Sequence, residues 1–129
     1  MSSRNARIDL APTAASVPAA RHLVLELLRA WNLPHDAEDA ALLVTELVSN
    51  VVDHVGGEAN LTLELETSDD WLRIAVVDGS AIRPVVQELS GDRPRGRGMR
   101  MVQVIADRWG ADDHLDGKRV WFELRPPAR

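Results

Sequence analysis

Apolar and polar positions alternate or recur along this chain with periods that sort it into strands and helices. Ile8 and Leu10 alternate with polar neighbours across residues 7–11, the two-residue period of a short strand. From Ser16, a suitable N-cap followed by Pro18, the period changes to that of a helix: Leu23, Leu27 and Trp31 form a stripe widened by Val24 and Leu28. Asn32-Leu33-Pro34 closes it. Asp36, with Glu38 and Asp39 behind it, predicts the start of a second helix that reaches about His54 and stops at Gly56-Gly57. Leu61, Leu63 and Leu65 alternate, as do Leu72, Ile74 and Val76, with 67–70 joining them as a hairpin. Residues 79–95 have no period and contain Gly79, Pro84, Gly91 and Pro94, so they read as a long loop of the kind that is functional or disordered in a small domain. Helical spacing resumes from Gly98 to Asp107 through Met99, Met101, Val102 and Ile105. Two last strands, about 109–115 and 119–124, meet at Asp116-Gly117. The order β-α-α-β-β-loop-α-β-β predicts an α+β two-layer sandwich: a largely antiparallel mixed sheet with helices on one face.

At 129 residues the chain is one domain, 1–129, with 1–6 and 126–129 expected to be loose. An apolar fraction of 45% with 27% charged residues is that of a soluble globular protein. No apolar run approaches the roughly 20 residues of a membrane span, and the first ten residues lack a signal-peptide pattern, so a cytoplasmic location without membrane contact is expected. The absence of cysteine excludes disulfides, thiolate metal sites and a cysteine nucleophile. A net charge of −5 argues against direct nucleic-acid binding. Arginine outnumbers lysine fourteen to one, Lys118 being the only lysine. The four tryptophans, Trp31, Trp71, Trp109 and Trp121, read as core or sheet-packing residues, with Trp71 beside Asp69-Asp70 the one to check for exposure. His22, His35 and His114 have no metal-ligand spacing and read as surface or capping residues.

Three segments carry candidate chemistry. On the second helix Glu46 and Asn50 are four apart and share a face, with His54 one turn further on. Asn50 is a poor helix former placed among β-branched neighbours, and a carboxylate one turn from an amide oxygen offers a general base beside a hard ligand for Mg²⁺. The plain alternative is an amphipathic helix whose polar face meets water. At 74–78 an apolar strand ends in Asp78 before Gly79-Ser80, which either presents a carboxylate beyond the sheet edge or caps a turn. At 93–100 arginines flank Gly96 and Gly98 just ahead of a helix, giving either an anion site or a solvated basic loop. The pattern is neither a P-loop nor a dinucleotide-binding turn.

In this order the segments resemble the GHKL ATP-binding superfamily, and most closely the small anti-sigma-factor serine/threonine kinases of bacterial partner-switching systems. Glu46-x-x-x-Asn50-x-x-x-His54 resembles the N box, Asp78-Gly79-Ser80 the G1 box, and Gly96-Arg97-Gly98-Met99 the G2 box. The resemblance implies ATP and Mg²⁺ as ligands. It makes Glu46 the catalytic base, Asn50 the metal ligand, and Asp78 the contact to the adenine amino group. Asp53, Ser80, Gly96, Arg97, Gly98 and Met99 complete the implied nucleotide-binding set, and Arg21 on the first helix is the implied partner contact. The implied substrate is a serine or threonine of an anti-sigma-factor antagonist protein, with a sigma factor or antagonist sequestered as partner. Relatives of this kind also often form homodimers. Three features depart from the pattern: Ser80 and Ile82 replace glycines of the G1 box, the lid between the G1 and G2 boxes is short, and Lys118 follows Gly117 where threonine is common. They motivate the alternative of a non-catalytic module that sequesters a partner through a degenerate nucleotide site.

Overall fold

The computed structural model describes residues 3–55, 60–78, 102, 104–114 and 117–126. Within them run strand β1 (Asn5–Leu10), helices α1 (Ser16–Ala30) and α2 (Ala37–Val55), and strands β2 (Leu61–Ser68), β3 (Trp71–Asp78), β4 (Arg108–His114) and β5 (Gly117–Leu124). The strands form one sheet in the order β1-β2-β3-β5-β4, every described pairing antiparallel. The α+β two-layer architecture expected from the sequence is therefore the one observed. No helix among the described residues is long and apolar enough to cross a membrane.

Alternation decides which face of the sheet meets the helices. Leu61, Leu63 and Leu65 of β2, Leu72, Ile74 and Val76 of β3, and Val120, Phe122 and Leu124 of β5 all turn inward and are buried. They meet Ala20, Val24 and Leu28 of α1 and Leu43, Leu47, Val48 and Val51 of α2 in one apolar core. The buried line of α1 thus runs through Val24 and Leu28, while Leu27 and Trp31 pack at its margin.

The helix ends show which local bonds win. Asp36 caps α2 as expected, its Oδ1 accepting the Asp39 N–H at 3.0 Å. Asn32, at φ 53°, closes α1: its N–H donates to the Arg29 carbonyl and that of Leu33 to Leu28, a Schellman motif. Ser16 is not the N-cap expected. The chain already winds from Thr13, whose carbonyl accepts the Ser16 N–H, so Ser16 lies inside the first turn and its hydroxyl donates back to the Ala11 carbonyl. Nor is all of 1–6 loose: β1 begins at Asn5, and Arg4 and Thr67 exchange hydrogen bonds, Arg4 N–H to Thr67 Oγ1 and Thr67 N–H to the Arg4 carbonyl.

The β2–β3 hairpin turns through Asp69 and Asp70, both at positive φ (52° and 71°), as a two-residue turn between right-twisted strands requires. His35, expected as a surface or capping residue, is buried at 6% exposure, and its Nε2–H donates to the Asp70 carbonyl at 2.7 Å. It ties the start of α2 to that turn. In the last hairpin Gly117 is already a strand residue paired with His114. The helix expected over 98–107 lies mostly outside the described residues; Val102, Val104 and Ile105 are helical, and the Ala106 N–H bonds to the Val102 carbonyl.

The opposite sheet face is ionic and aromatic. Glu123 pairs with Arg73 at 3.4 Å and Arg108 at 2.8 Å, and Glu64 with Arg119 at 3.2 Å and Arg7 at 3.7 Å. The Arg108 guanidinium lies 3.7 Å from the Trp71 ring centre, so Trp71 is covered rather than bare. Arg73 stacks on Trp121 at 4.3 Å, and the Trp121 indole N–H donates to Asp112 at 3.0 Å. A Cβ on Gly110 would come within 2.7 Å of the Trp121 ring, which explains a glycine inside β4.

Candidate functional site

The helix face that meets the sheet carries Leu43, Leu47 and Val51, and Asn50 shares it. Asn50 is 6% exposed, and its amide nitrogen has no hydrogen-bond partner among the described residues. A buried amide N–H left unpaired costs free energy, so this donor has capacity for an acceptor beyond the described residues. Glu46, one turn earlier, is half-buried, and burial pushes its carboxyl above the usual glutamate range. That shift suits a group that must accept a proton. Asp53 lies on the exposed side of α2.

Asp78 ends β3 on the same inward face as Leu72, Ile74 and Val76, so the strand delivers a carboxylate into the helix-covered layer. It is 2% exposed. Directly across the β3–β5 ladder stands Lys118, itself 3% exposed, with its Nζ 3.8 Å from Asp78 Oδ2. Helix α2 packs on both β3 and β5, and Asn50, Asp78 and Lys118 are each buried on these elements. Ser80, Gly96, Arg97, Gly98 and Met99 lie outside the described residues, as does the side chain of His54. Arg21 is exposed on α1.

Lys118 enters the sequence reading only as a departure from the family pattern, not as a buried neighbour of Asp78. The alternation Lys118, Val120, Phe122, Leu124 already assigns it to the buried face, and it is the only lysine among fourteen arginines. Both signals were legible in the sequence.

Among the described residues no three acidic or imidazole groups converge into a metal cage. Mg²⁺ does not require one, since it keeps several waters and takes one or two protein oxygens beside phosphate oxygens. Asn50 offers an amide oxygen of the kind that single-ligand role takes, while its nitrogen, a donor without a partner among the described residues, suits an anionic neighbour such as phosphate.

The described chain is thus a two-layer α+β domain with the buried polar residues Asn50, Asp78 and Lys118 on its helix and sheet layers. A family model described as the histidine kinase-like ATPase domain matches residues 10–124, and the chain belongs to that family. Among solved structures it is similar to the RsbU and RsbW domains of Rv1364c from Mycobacterium tuberculosis, at 19% identity and a TM-score of 0.72. That match covers 98% of this chain and 34% of the other, so this chain spans about a third of its neighbour's length. No curated protein matches.

Proposed function

We propose that this domain binds ATP with Mg²⁺, phosphorylates a serine or threonine of a small anti-sigma-factor antagonist protein, and sequesters that antagonist or a sigma factor. The observation that carries the reading is the buried Asn50, whose amide N–H has no partner among the described residues, one helical turn from a half-buried Glu46 of raised basicity. Membership of the ATPase family supports nucleotide binding, and the similarity to a structure containing an RsbW domain supports the partner-switching context.

In this reading Asn50 supplies the one protein oxygen for Mg²⁺, and Asp78 accepts a hydrogen bond from the base. The bound metal neutralises charge on the phosphate oxygens. Glu46 accepts the proton of the incoming hydroxyl as its oxygen forms a bond to the γ-phosphorus and the bond to the β-phosphate oxygen breaks, releasing ADP. The backbone amides of Gly96–Gly98 and the Arg97 guanidinium offset phosphate charge. Such catalysis is positioning and charge neutralisation more than covalent chemistry. Exposed Arg21 is available to a protein partner.

The test is incubation with γ-labelled ATP and candidate antagonists. Glu46→Ala keeps ATP binding and loses transfer, and Asn50→Ala loses both. Transfer at the wild-type rate by Glu46→Ala would overturn the assignment of the base. A second reading, a partner-sequestering module without transfer, is favoured by the Lys118–Asp78 ion pair, which engages the base-contacting carboxylate within the protein. Stable co-elution with an antagonist that never acquires label supports that reading over the first.

A further inference from the structure

The sheet ends on one side at β1, and among the described residues no strand pairs with its outer edge. Its register with β2 runs without a bulge from Asn5–Glu66 to Leu10–Leu61, and it holds neither proline nor lysine. Bulges, prolines and lysines are the usual devices that keep an edge from pairing again. The ladder fixes where the backbone of β1 points. Thr67 N–H donates to the Arg4 carbonyl, which makes Arg4 and Thr67 a hydrogen-bonded pair. By alternation Ala6, Ile8 and Leu10 are the strand residues bonded to β2. The N–H and carbonyl groups of Asn5, Arg7 and Asp9 therefore point away from the sheet. The side chains of these three are exposed, while Ala6, Ile8 and Leu10 are half-buried on the helix side, opposite Leu65, Leu63 and Leu61.

We infer that β1 is a self-association edge: two copies of this chain pair β1 with β1, antiparallel and centred on Ile8, joining two five-stranded sheets into one. A closed pair of like edges is isologous, so each contact occurs twice. Because only alternate residues send backbone groups outward, registers shifted by one are excluded and the pairing centres on a residue. Centring on Arg7 or on Asp9 sets like charges directly opposite. Centring on Ile8 sets Arg7 opposite Asp9 of the second copy, twice, and each such pair exchanges two backbone hydrogen bonds and joins opposite charges. The Arg7 side chain is 67% exposed and lies 3.7 Å from Glu64, which leaves it room for a second carboxylate. The same register stacks Ile8 on Ile8 and Ala6 on Leu10, covering the apolar surface that the edge leaves half open. The two-fold axis stands perpendicular to the sheet, so both helix layers, each with an exposed Arg21, lie on one side. The inference is independent of the nucleotide site.

The chain has no cysteine, so a single introduced thiol reports the register. In the pairing centred on Ile8 the two Ile8 residues form a non-hydrogen-bonded pair with Cα atoms about 4.5 Å apart, within disulfide range. Ile8→Cys is expected to give a disulfide-linked dimer with oxidised glutathione as the oxidant. Ala6→Cys, whose two copies lie roughly 13 Å apart along the strands, is expected to stay unlinked. Sedimentation equilibrium of wild type is expected to show a monomer–dimer equilibrium below about 1 mM. Arg7→Asp or Asp9→Arg alone sets like charges opposite and weakens association by about tenfold or more, and the double variant restores it. Thermal melting checks that each variant folds. Should a charge variant not fold, Asp9→Pro takes its place: it deletes an outward N–H, leaves the ladder to β2 intact and is expected to dissociate the dimer. A wild type still monomeric at about 1 mM overturns the inference. So does a dimer in which Ile8→Cys fails to link or links no better than Ala6→Cys, and so does association unchanged by the single variants.

Discussion

Replacing Asn50 by leucine should make the free protein more stable and useless for nucleotide binding. Asn50 is buried in the helix–sheet interface with its amide nitrogen unpaired among the described residues. An unpaired buried amide costs about 1–3 kcal/mol by protein mutational data. Leucine repeats the branching of asparagine, removes that cost, and adds a few tenths of a kcal/mol in helix propensity (about 0.5 at most). Its neighbours Leu47 and Val51 supply an apolar surround. The free Asn50→Leu variant is therefore expected to gain about 1–3 kcal/mol, each kcal/mol moving Tm by roughly 3–5 °C in a domain of this size. Nucleotide acts in the opposite sense. At about a hundredfold excess over Kd, Mg·ATP adds roughly 2.7 kcal/mol to wild type, and that increment should vanish in the variant. Thermal melting of both proteins with and without Mg·ATP reads both effects. A variant less stable than wild type when free would refute the reasoning from the unpaired amide. A variant that keeps the full nucleotide shift would refute the site.

Other consequences are equally open to measurement. Burial raises the folded-state pKa of Glu46, so the folded protein holds that proton to higher pH than the unfolded chain, and stability is lost as pH rises above the ordinary glutamate value of 4.5. The Tm advantage of Glu46→Gln over wild type should therefore grow from pH 4 to pH 7 while phosphotransfer is lost; a pH-independent difference would contradict this. Gly110→Ala drives a methyl into the Trp121 ring and should cost about 1–3 kcal/mol in denaturant unfolding. Asp36→Ala removes the cap on Asp39 N–H and should cost about 1 kcal/mol, with Asp36→Asn close to wild type.

The parts of this fold written in short-range periodicity were legible. Leu61, Leu63 and Leu65 against Leu72, Ile74 and Val76 gave two strands and their buried faces, and Asp36 gave a helix start that the Asp39 hydrogen bond bears out. Strand order was not legible. That β5 enters between β3 and β4 depends on pairings such as Ile74 with Phe122, which local pattern does not encode. Ser16 misled because capping is a competition, and the turn wound from Thr13 had already begun the helix. His35 reads as a surface or capping residue, and which of the two it is depends on the distant Asp70 carbonyl to which it donates. In the candidate site Asn50 stood out by helix propensity, and its burial agrees with the face that Leu43 and Leu47 define. The burial of Lys118 follows from the phase of β5, where Val120, Phe122 and Leu124 share its face, rather than from the glycine before it.

Calorimetric titration of the wild-type protein with ATP, in Mg²⁺ and in chelator, decides whether the domain holds Mg·ATP through Asn50. Saturable binding of one ATP per chain is expected, needing Mg²⁺ and disappearing in Asn50→Ala while that variant remains folded. ATP binding that is indifferent to both Mg²⁺ and Asn50, or no binding at millimolar nucleotide, would contradict it.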